Sequence, residues 1–191
     1  FESGNYGTVV VEFDWDGVEI SQHHTNMAGH DQTQFYMEDV TIPDENVLTR
    51  GEEGFKKNLR ALNWERLGSA TASAAFARCG LEKALEYAQQ RTQFGQPVGD
   101  FQGMEWKLAD MTKELEATRS LIYRAAEEAE RVPDPLLSTL AKLYANEMVE
   151  NVVSEALQVH GANGYQQGHP LEYLYRFARG QRIAAGTDEI A

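Results

Sequence analysis

The spacing of apolar positions changes near residue 50. Before that point they cluster in β-branched and aromatic runs, Thr8-Val-Val-Val-Glu-Phe13 and Gln34-Phe-Tyr-Met-Glu-Asp-Val-Thr-Ile42, separated by Gly, Asn and Asp. Such runs predict strands, and Pro43-Asp-Glu closes the second. From Glu52 onward the period is helical. Phe101, Met104, Leu108, Met111, Leu115, Ile122 and Ala125 step by three, four or seven, which is one apolar stripe on a helix. Leu137, Leu140, Tyr144, Met148 and Val152 give a second stripe. Pro133-Asp134-Pro135 punctuates the two, its second proline suited to a first helical turn. The run Gly54–Gln90 predicts a first helix, and shorter helical pieces follow Pro170. The expectation is a mostly α chain: an up-down helical bundle over 51–191, preceded over 1–50 by a few strands that read as the truncated end of a β domain. Starting at Phe1 and stopping at Ala191 in a helical pattern, the chain reads as an excised fragment.

Composition narrows the partners. With 42% hydrophobic residues and five prolines, 191 residues are an ordered globular chain with ample material for a core. The formal charge of −13, from 30 acidic against 17 basic residues, repels nucleic acid and anionic membranes. No apolar run approaches a membrane span, and the first residues do not form a signal peptide. A cytoplasmic protein fits, with the mitochondrial matrix left open. The acidity suits a salt-adapted source or an ordinary acidic protein. The single Cys79 allows no internal disulfide and reads as a small buried thiol. His23, His24, His30, His160 and His169 show no metal-ligand spacing, so structural or surface roles are expected. The run Glu127-Glu128-Ala-Glu130 reads as a solvated helix face.

Two places carry candidate chemistry. Glu65, in Trp64-Glu65-Arg66, shares a helical face with Ala61, Gly68, Ser69 and Ala72. A carboxylate ringed by small side chains admits a ligand, and an apolar ligand favours its protonated form, as a general base for a weakly acidic C–H requires. The alternative is a tight helix contact at the small residues, with Glu65 paired to an arginine. The other place is Arg91-Thr-Gln93-Phe94-Gly95-Gln96-Pro97-Val98-Gly99-Asp100-Phe101-Gln102, between two helical patterns. A bundle connector needs only a few turn residues. This one offers a cation, amides and two rings, an inventory for a phosphorylated aromatic ligand.

That segment resembles the R-x-x-F-G-x-P-x-x-x-F-Q signature of the acyl-CoA dehydrogenase family. Gln158-Val-His-Gly161-Ala162-Asn163-Gly164-Tyr165, followed by Gly186-Thr187-Asp188-Glu189-Ile190, resembles the family's other signature. The resemblance covers nearly the whole chain. It implies the carboxyl-terminal part of such an enzyme: the last strands of the middle β domain and most of the bundle. The activity implied is FAD-dependent α,β-dehydrogenation of an acyl-CoA to the trans-2-enoyl-CoA, in β-oxidation of fatty acids. A homotetramer built as a dimer of dimers and an electron-transfer flavoprotein as acceptor are implied with it.

By the same resemblance, Arg91 meets the FAD pyrophosphate of a neighbouring subunit, Phe94 packs on the nucleotide and Gln102 serves as an amide partner. Gln93, Val98 and Phe101, then Gln158, Gly161, Ala162, Thr187 and Glu189, complete the FAD contacts, while Arg66 and Gly186 bind substrate. Many members carry the base directly before the Gly-Thr of the second signature, where this chain has Ala185. The isovaleryl-CoA and long-chain branch places it on the bundle helix in a Glu-Arg pair, and Glu65-Arg66 stands at that position. Glu65 is therefore the expected base, with the Ala185 backbone N–H as a donor to the thioester oxygen. Ala162 replaces a usual glycine. Phe177 in Arg176-Phe177 replaces a usual aspartate, removing a carboxylate that orients the catalytic loop. Two rival readings share the scaffold: a flavin monooxygenase needing no thioester base, and a non-catalytic subunit of a heteromeric dehydrogenase.

Overall fold

The computed structural model describes residues 7–191 and divides the chain into two compact units, the second beginning at Asn63. In the first unit, β1 (Thr8–Val9) pairs antiparallel with β4 (Val47–Thr49), and β2 (Val18–Thr25) with β3 (Asp31–Met37). The β2–β3 turn is closed by Asn26, whose side chain accepts from Ala28 and His30 N–H at 2.9 and 3.0 Å. The strand reading needs correcting here. Regular pairing in the first run stops at Val9, and the second ends at Met37, before Asp39 takes a φ of +51°. The partner strand Val-Glu-Ile-Ser-Gln-His-His-Thr is polar and nearly all exposed, so no apolar run marks it.

Helix α1 (Gly51–Gln90) runs 40 residues. Glu52 and Glu53 sit in its first turn, where their charge complements the helix dipole. From Leu67 its buried apolar side chains are Ala70, Ala74, Ala77, Leu81, Ala84 and Ala88, steps of three or four that turn one narrow face inward. The helix ends in a hairpin of β5 (Thr92–Gln93) and β6 (Gln96–Pro97), whose central residues Phe94 and Gly95 have φ of +53° and +85°. Positive φ at both central residues is the type I′ pattern that matches strand twist. Helix α2 (Gln102–Glu127) follows a single 3-10 turn. Helix α3 (Pro135–His160) opens on Asp134, whose carboxylate accepts from Leu137 N–H at 2.9 Å. Helix α4 (Pro170–Gln181) opens on His169, whose Nδ1 accepts from Leu171 N–H at 3.2 Å.

Cross-helix pairs give the directions. Arg66 meets Thr139 and Ser73 meets Asn146, so numbers rise together and α1 runs parallel to α3. Lys107 meets Glu155 and Glu114 meets Asn151, so α2 runs against α3. The end of α4 returns to Asn146, midway along α3. This is the expected mostly α, up-down bundle. Its core is made of small side chains: Ala70, Ala77, Ala84, Ala141, Ala145, Ala156, Val149, Val152 and Val153 are all at or near full burial. The predicted stripe of α3 is partly mis-phased. Leu140 and Tyr144 are over 40% exposed, while Lys142 and Asn146 are fully buried. Cys79 is half-buried against the core.

Candidate active site

The bundle collects the predicted residues at two stations. One lies at the loop after α4. Ser69 Oγ on α1 donates to Gln181 Oε1 at 3.3 Å, which brings the turn of α1 holding Glu65 to the end of α4. Asn146 Nδ2 donates to the Gln181 carbonyl at 2.6 Å, and Ser73 Oγ donates to Asn146 Oδ1 at 3.0 Å, so the junction is buried and pinned from two helices. Glu65 is exposed, and no hydrogen bond or ion pair among the described residues engages it. A Cβ built on Gly68 meets nothing within 4 Å. The small residues beside Glu65 thus leave open space, while the packing contact uses the other face, through Ala70, Ala74 and Ala77. Arg66 does not pair with its neighbour: its Nη1 donates to Thr139 at 2.9 Å and its buried Nε has no acceptor among the described residues.

The loop itself is strained. Ala185 and Gly186 have φ of +54° and +94°, and a left-handed alanine is uncommon outside special sites. The N–H groups of Ala185, Gly186 and Thr187 have no protein acceptor among the described residues. Three successive backbone N–H groups without acceptors make this stretch of the loop a donor surface for a negatively charged oxygen. Below it, Lys142 Nζ donates to the Gly186 carbonyl at 2.5 Å and to Asp188 Oδ1 at 3.2 Å. Arg182 Nε donates to Asp188 Oδ2 at 2.6 Å. The Glu189 carboxyl is held below its usual range by its own backbone N–H and the Thr187 hydroxyl. Thr187 begins a turn, its carbonyl accepting from Ile190 and Ala191 N–H at 3.0 Å, and does not cap a helix. Sequence reasoning missed Lys142, although a lysine between Ala141 and Ala145 in an apolar stretch was its one signal.

Phe177, which replaces the aspartate of the resembled pattern, packs on Phe76 of α1 with centroids 4.4 Å apart and stacks on Tyr173 at 5.8 Å. Arg176 pairs with Glu172 one turn back at 3.0 Å. The aromatic packing ties α4 to α1 in place of the missing charge.

The second station lies at the far end of α3, where Gly161 and Ala162 meet the hairpin that follows α1. Arg91, Gln93 and Val98 line a groove of about 290 Å³ with them, together with Tyr87 and His160. Gly161 has a φ of +56° and open space beside it. Gly164 is different: a Cβ there meets His160 Cβ at 2.7 Å and the Leu157 carbonyl at 3.0 Å, so the chain's own packing demands glycine. Arg91 is exposed and no carboxylate pairs with it among the described residues. The Phe94 residue is 94% exposed at the hairpin tip, and its ring meets that of Phe101 edge-on at 6.3 Å. Phe101, at the start of its stripe, is itself partly exposed, and Gln102 and Gln158 face outward. An unpaired guanidinium, an uncovered ring and open glycine backbone fit the nucleotide half of a flavin dinucleotide. From Lys142 to Gly161, α3 rises roughly 28 Å at about 1.5 Å per residue. The structure therefore does not bring Arg91, Gln93, Phe94, Val98, Gly161 and Ala162 to Glu65, Arg66, Ala185, Gly186, Thr187 and Glu189. Among the described residues no cluster of potential metal ligands forms, and no helix is long and apolar enough to cross a membrane.

The model of the acyl-CoA dehydrogenase C-terminal domain matches residues 52–191, and the chain belongs to that family. It is similar to 3-sulfinopropanoyl-CoA desulfinase of Paraburkholderia xenovorans strain LB400, 35% identical over 193 residues, covering 99% of this chain and 50% of the relative. Butyryl-CoA dehydrogenase from Megasphaera elsdenii superposes with a TM-score of 0.90 at 34% identity, over 99% of this chain and 51% of that one. An acyl-CoA dehydrogenase complexed with FAD from Bacillus anthracis superposes at 0.87 with 26% identity, over 99% and 36%. The chain spans about half the length of the curated relatives it matches.

Proposed function

We propose that these residues serve an FAD-dependent α,β-dehydrogenation of an acyl-CoA thioester, with Glu65 as the base. On this reading residues 1–50 are the end of the family's middle β domain and 51–191 its C-terminal bundle. The Ser69–Gln181 contact carries the proposal, because it joins the turn of α1 that follows Glu65, whose carboxylate is accessible, to the segment that leads into the loop whose backbone N–H groups have no acceptor among the described residues. Glu65 takes the α-proton as the C–H bond breaks, and its electron pair becomes the α,β double bond of the trans-2-enoyl product. Negative charge develops on the thioester oxygen as the proton leaves, and the Ala185 N–H, held in position before the reaction, stabilises it. Gly186 lets the thioester approach the backbone, and Arg66 holds the substrate side of the same turn. The flavin, when bound, supplies the acceptor for the β-hydride. Arg91, Gln93, Phe94, Val98, Phe101 and Gln102, with Gln158, Gly161 and Ala162, hold its nucleotide half, and Thr187 with Glu189 contact it from the loop. The separation of the stations suits a homotetramer in which copies share each flavin. A cytoplasmic enzyme of fatty-acid β-oxidation, reoxidised by an electron-transfer flavoprotein, completes the reading.

The test uses the natural polypeptide that carries these residues, titrated anaerobically with short, branched and long acyl-CoAs while flavin absorbance is followed. One chain class bleaches the flavin, and Glu65→Gln slows that bleaching roughly 10²–10⁴-fold. If no thioester bleaches it, dehydrogenation is excluded. Sulfite release from 3-sulfinopropanoyl-CoA instead assigns desulfination, and incorporation of oxygen from O2 into a product when reduced flavin is supplied assigns a monooxygenase. Undiminished bleaching by Glu65→Gln places the base elsewhere.

A further inference from the structure

Helix α3 is packed almost entirely with small apolar side chains, yet Lys142 on it is 0% exposed. Burying an ammonium is costly unless its protons find acceptors and its charge a counter-ion. Both come from one place: the Gly186 carbonyl at 2.5 Å and the Asp188 carboxylate at 3.2 Å. Asp188 is only 12% exposed in its side chain and is held from its other oxygen by Arg182, which also reaches Glu150 at 3.3 Å. The loop is thus gripped by a cation from below and an arginine from the side. Between the grips lie Ala185 and Gly186, in the left-handed conformations that the loop must hold against their strain. Thr139, Lys142 and Asn146 recur at helical spacing on α3, and they hold Arg66, the loop and the Gln181 carbonyl in turn.

The geometry points to Lys142 as a positioning residue: its ammonium, through Gly186 and Asp188, fixes the strained loop so that the Ala185 N–H faces the thioester oxygen. This rests on the function proposed above. It adds a residue that touches neither substrate nor cofactor and acts through the backbone it grips. A bond to the Gly186 oxygen fixes the plane of the Gly186–Thr187 peptide, which a single peptide unit separates from the one that carries the Ala185 N–H. Misplacing a donor by about 1 Å is enough to cost roughly 10²-fold in rate.

The test compares Lys142→Met and Asp188→Asn with the natural polypeptide. The first readout is hydrogen exchange at the Asp188 and Ile190 amides, which donate to the Arg182 and Thr187 carbonyls and need neither flavin nor thioester. The second is the limiting rate of flavin reduction against the thioester dissociation constant. Both variants exchange these amides faster while the amides of the α1–α3 core stay unchanged. Both lower the limiting rate roughly 10²-fold with thioester affinity little altered. Asp188→Asn lies outside the helices, and it decides the question if Lys142→Met does not fold. Unchanged exchange overturns the assignment, and so does faster exchange with an undiminished reduction rate. If the natural polypeptide is reduced by no thioester, the dehydrogenase reading fails on that result, and the Lys142 role in that chemistry fails with it, whatever the exchange shows.

Discussion

The ring of Tyr87 on α1 stacks on the ring of His160 at the end of α3, with 4.4 Å between centroids and 27° between planes. His160 Nδ1 lies 2.8 Å from the Ala156 carbonyl, and on its other side the His169 ring stands edge-on at 5.3 Å. The phenol and the first imidazole therefore line the groove beside Arg91, while the second imidazole, in contact with the first, caps α4.

A pH dependence follows. The His169 pKa is pushed below the ordinary imidazole value by burial first, then by His160 and Lys83. Its neutral form is the one that accepts from Leu171 N–H. The unfolded chain binds the proton more readily, so this contribution is complete above about pH 6.5 and is lost as pH falls from there toward the lower folded pKa. Melting temperatures measured between pH 7.5 and 5 should drop more for the natural chain than for His169→Asn, which keeps a capping acceptor that does not titrate. Parallel curves would remove His169 from the acid sensitivity.

Two glycines should respond in opposite directions. A Cβ on Gly80, inside α1, meets Val153 Cγ2 at 3.4 Å and Ala156 Cβ at 3.6 Å, which is ordinary contact. Gly80→Ala should stabilise by up to about 1 kcal/mol through helix propensity. Gly164→Ala drives its methyl onto His160 Cβ and the Leu157 carbonyl, and overpacking of that kind costs about 1–3 kcal/mol. Urea denaturation of both variants checks the signs.

Phe94 should be nearly silent in stability and loud in ligand retention. Its ring is uncovered and its φ is left-handed, so Phe94→Gly removes strain and little packing. Stability should change by no more than about 0.5 kcal/mol, while the purified protein loses flavin on gel filtration. Full flavin content in Phe94→Gly would assign that ring another role.

Periodicity carries the fold only where one face is apolar and the other polar. Helix α1 is legible over Gly54–Gln90 and begins three residues earlier, at Gly51. In α2 the stripe holds at Met111, Leu115, Ile122 and Ala125 and loosens toward Phe101. Helix α3 buries most of its surface and leaves one strip open, and Leu140 and Tyr144 fall on that strip while the polar Lys142 and Asn146 point inward. Strand β2 escapes because pairing comes from backbone groups that leave no mark in its polar side chains. Candidate residues for the site can be marked along the chain, but their division into two stations cannot. That division depends on which turn of α1 meets the end of α4, a contact made by Ser69 and Gln181 across more than a hundred residues.

The unbroken α1 has a consequence for counting active centres. From Glu65 to Gln90 it rises roughly 37 Å at about 1.5 Å per residue, farther than one dinucleotide reaches. On the proposed reading, no copy can apply its own Glu65 and its own Arg91 to the same flavin, so each catalytic centre is a joint holding of two copies. A chain spoiled at Glu65 and a chain spoiled at Arg91 are each dead in pure form. Paired together, they leave one centre with both groups intact, and two defective genes complement each other within a single assembly.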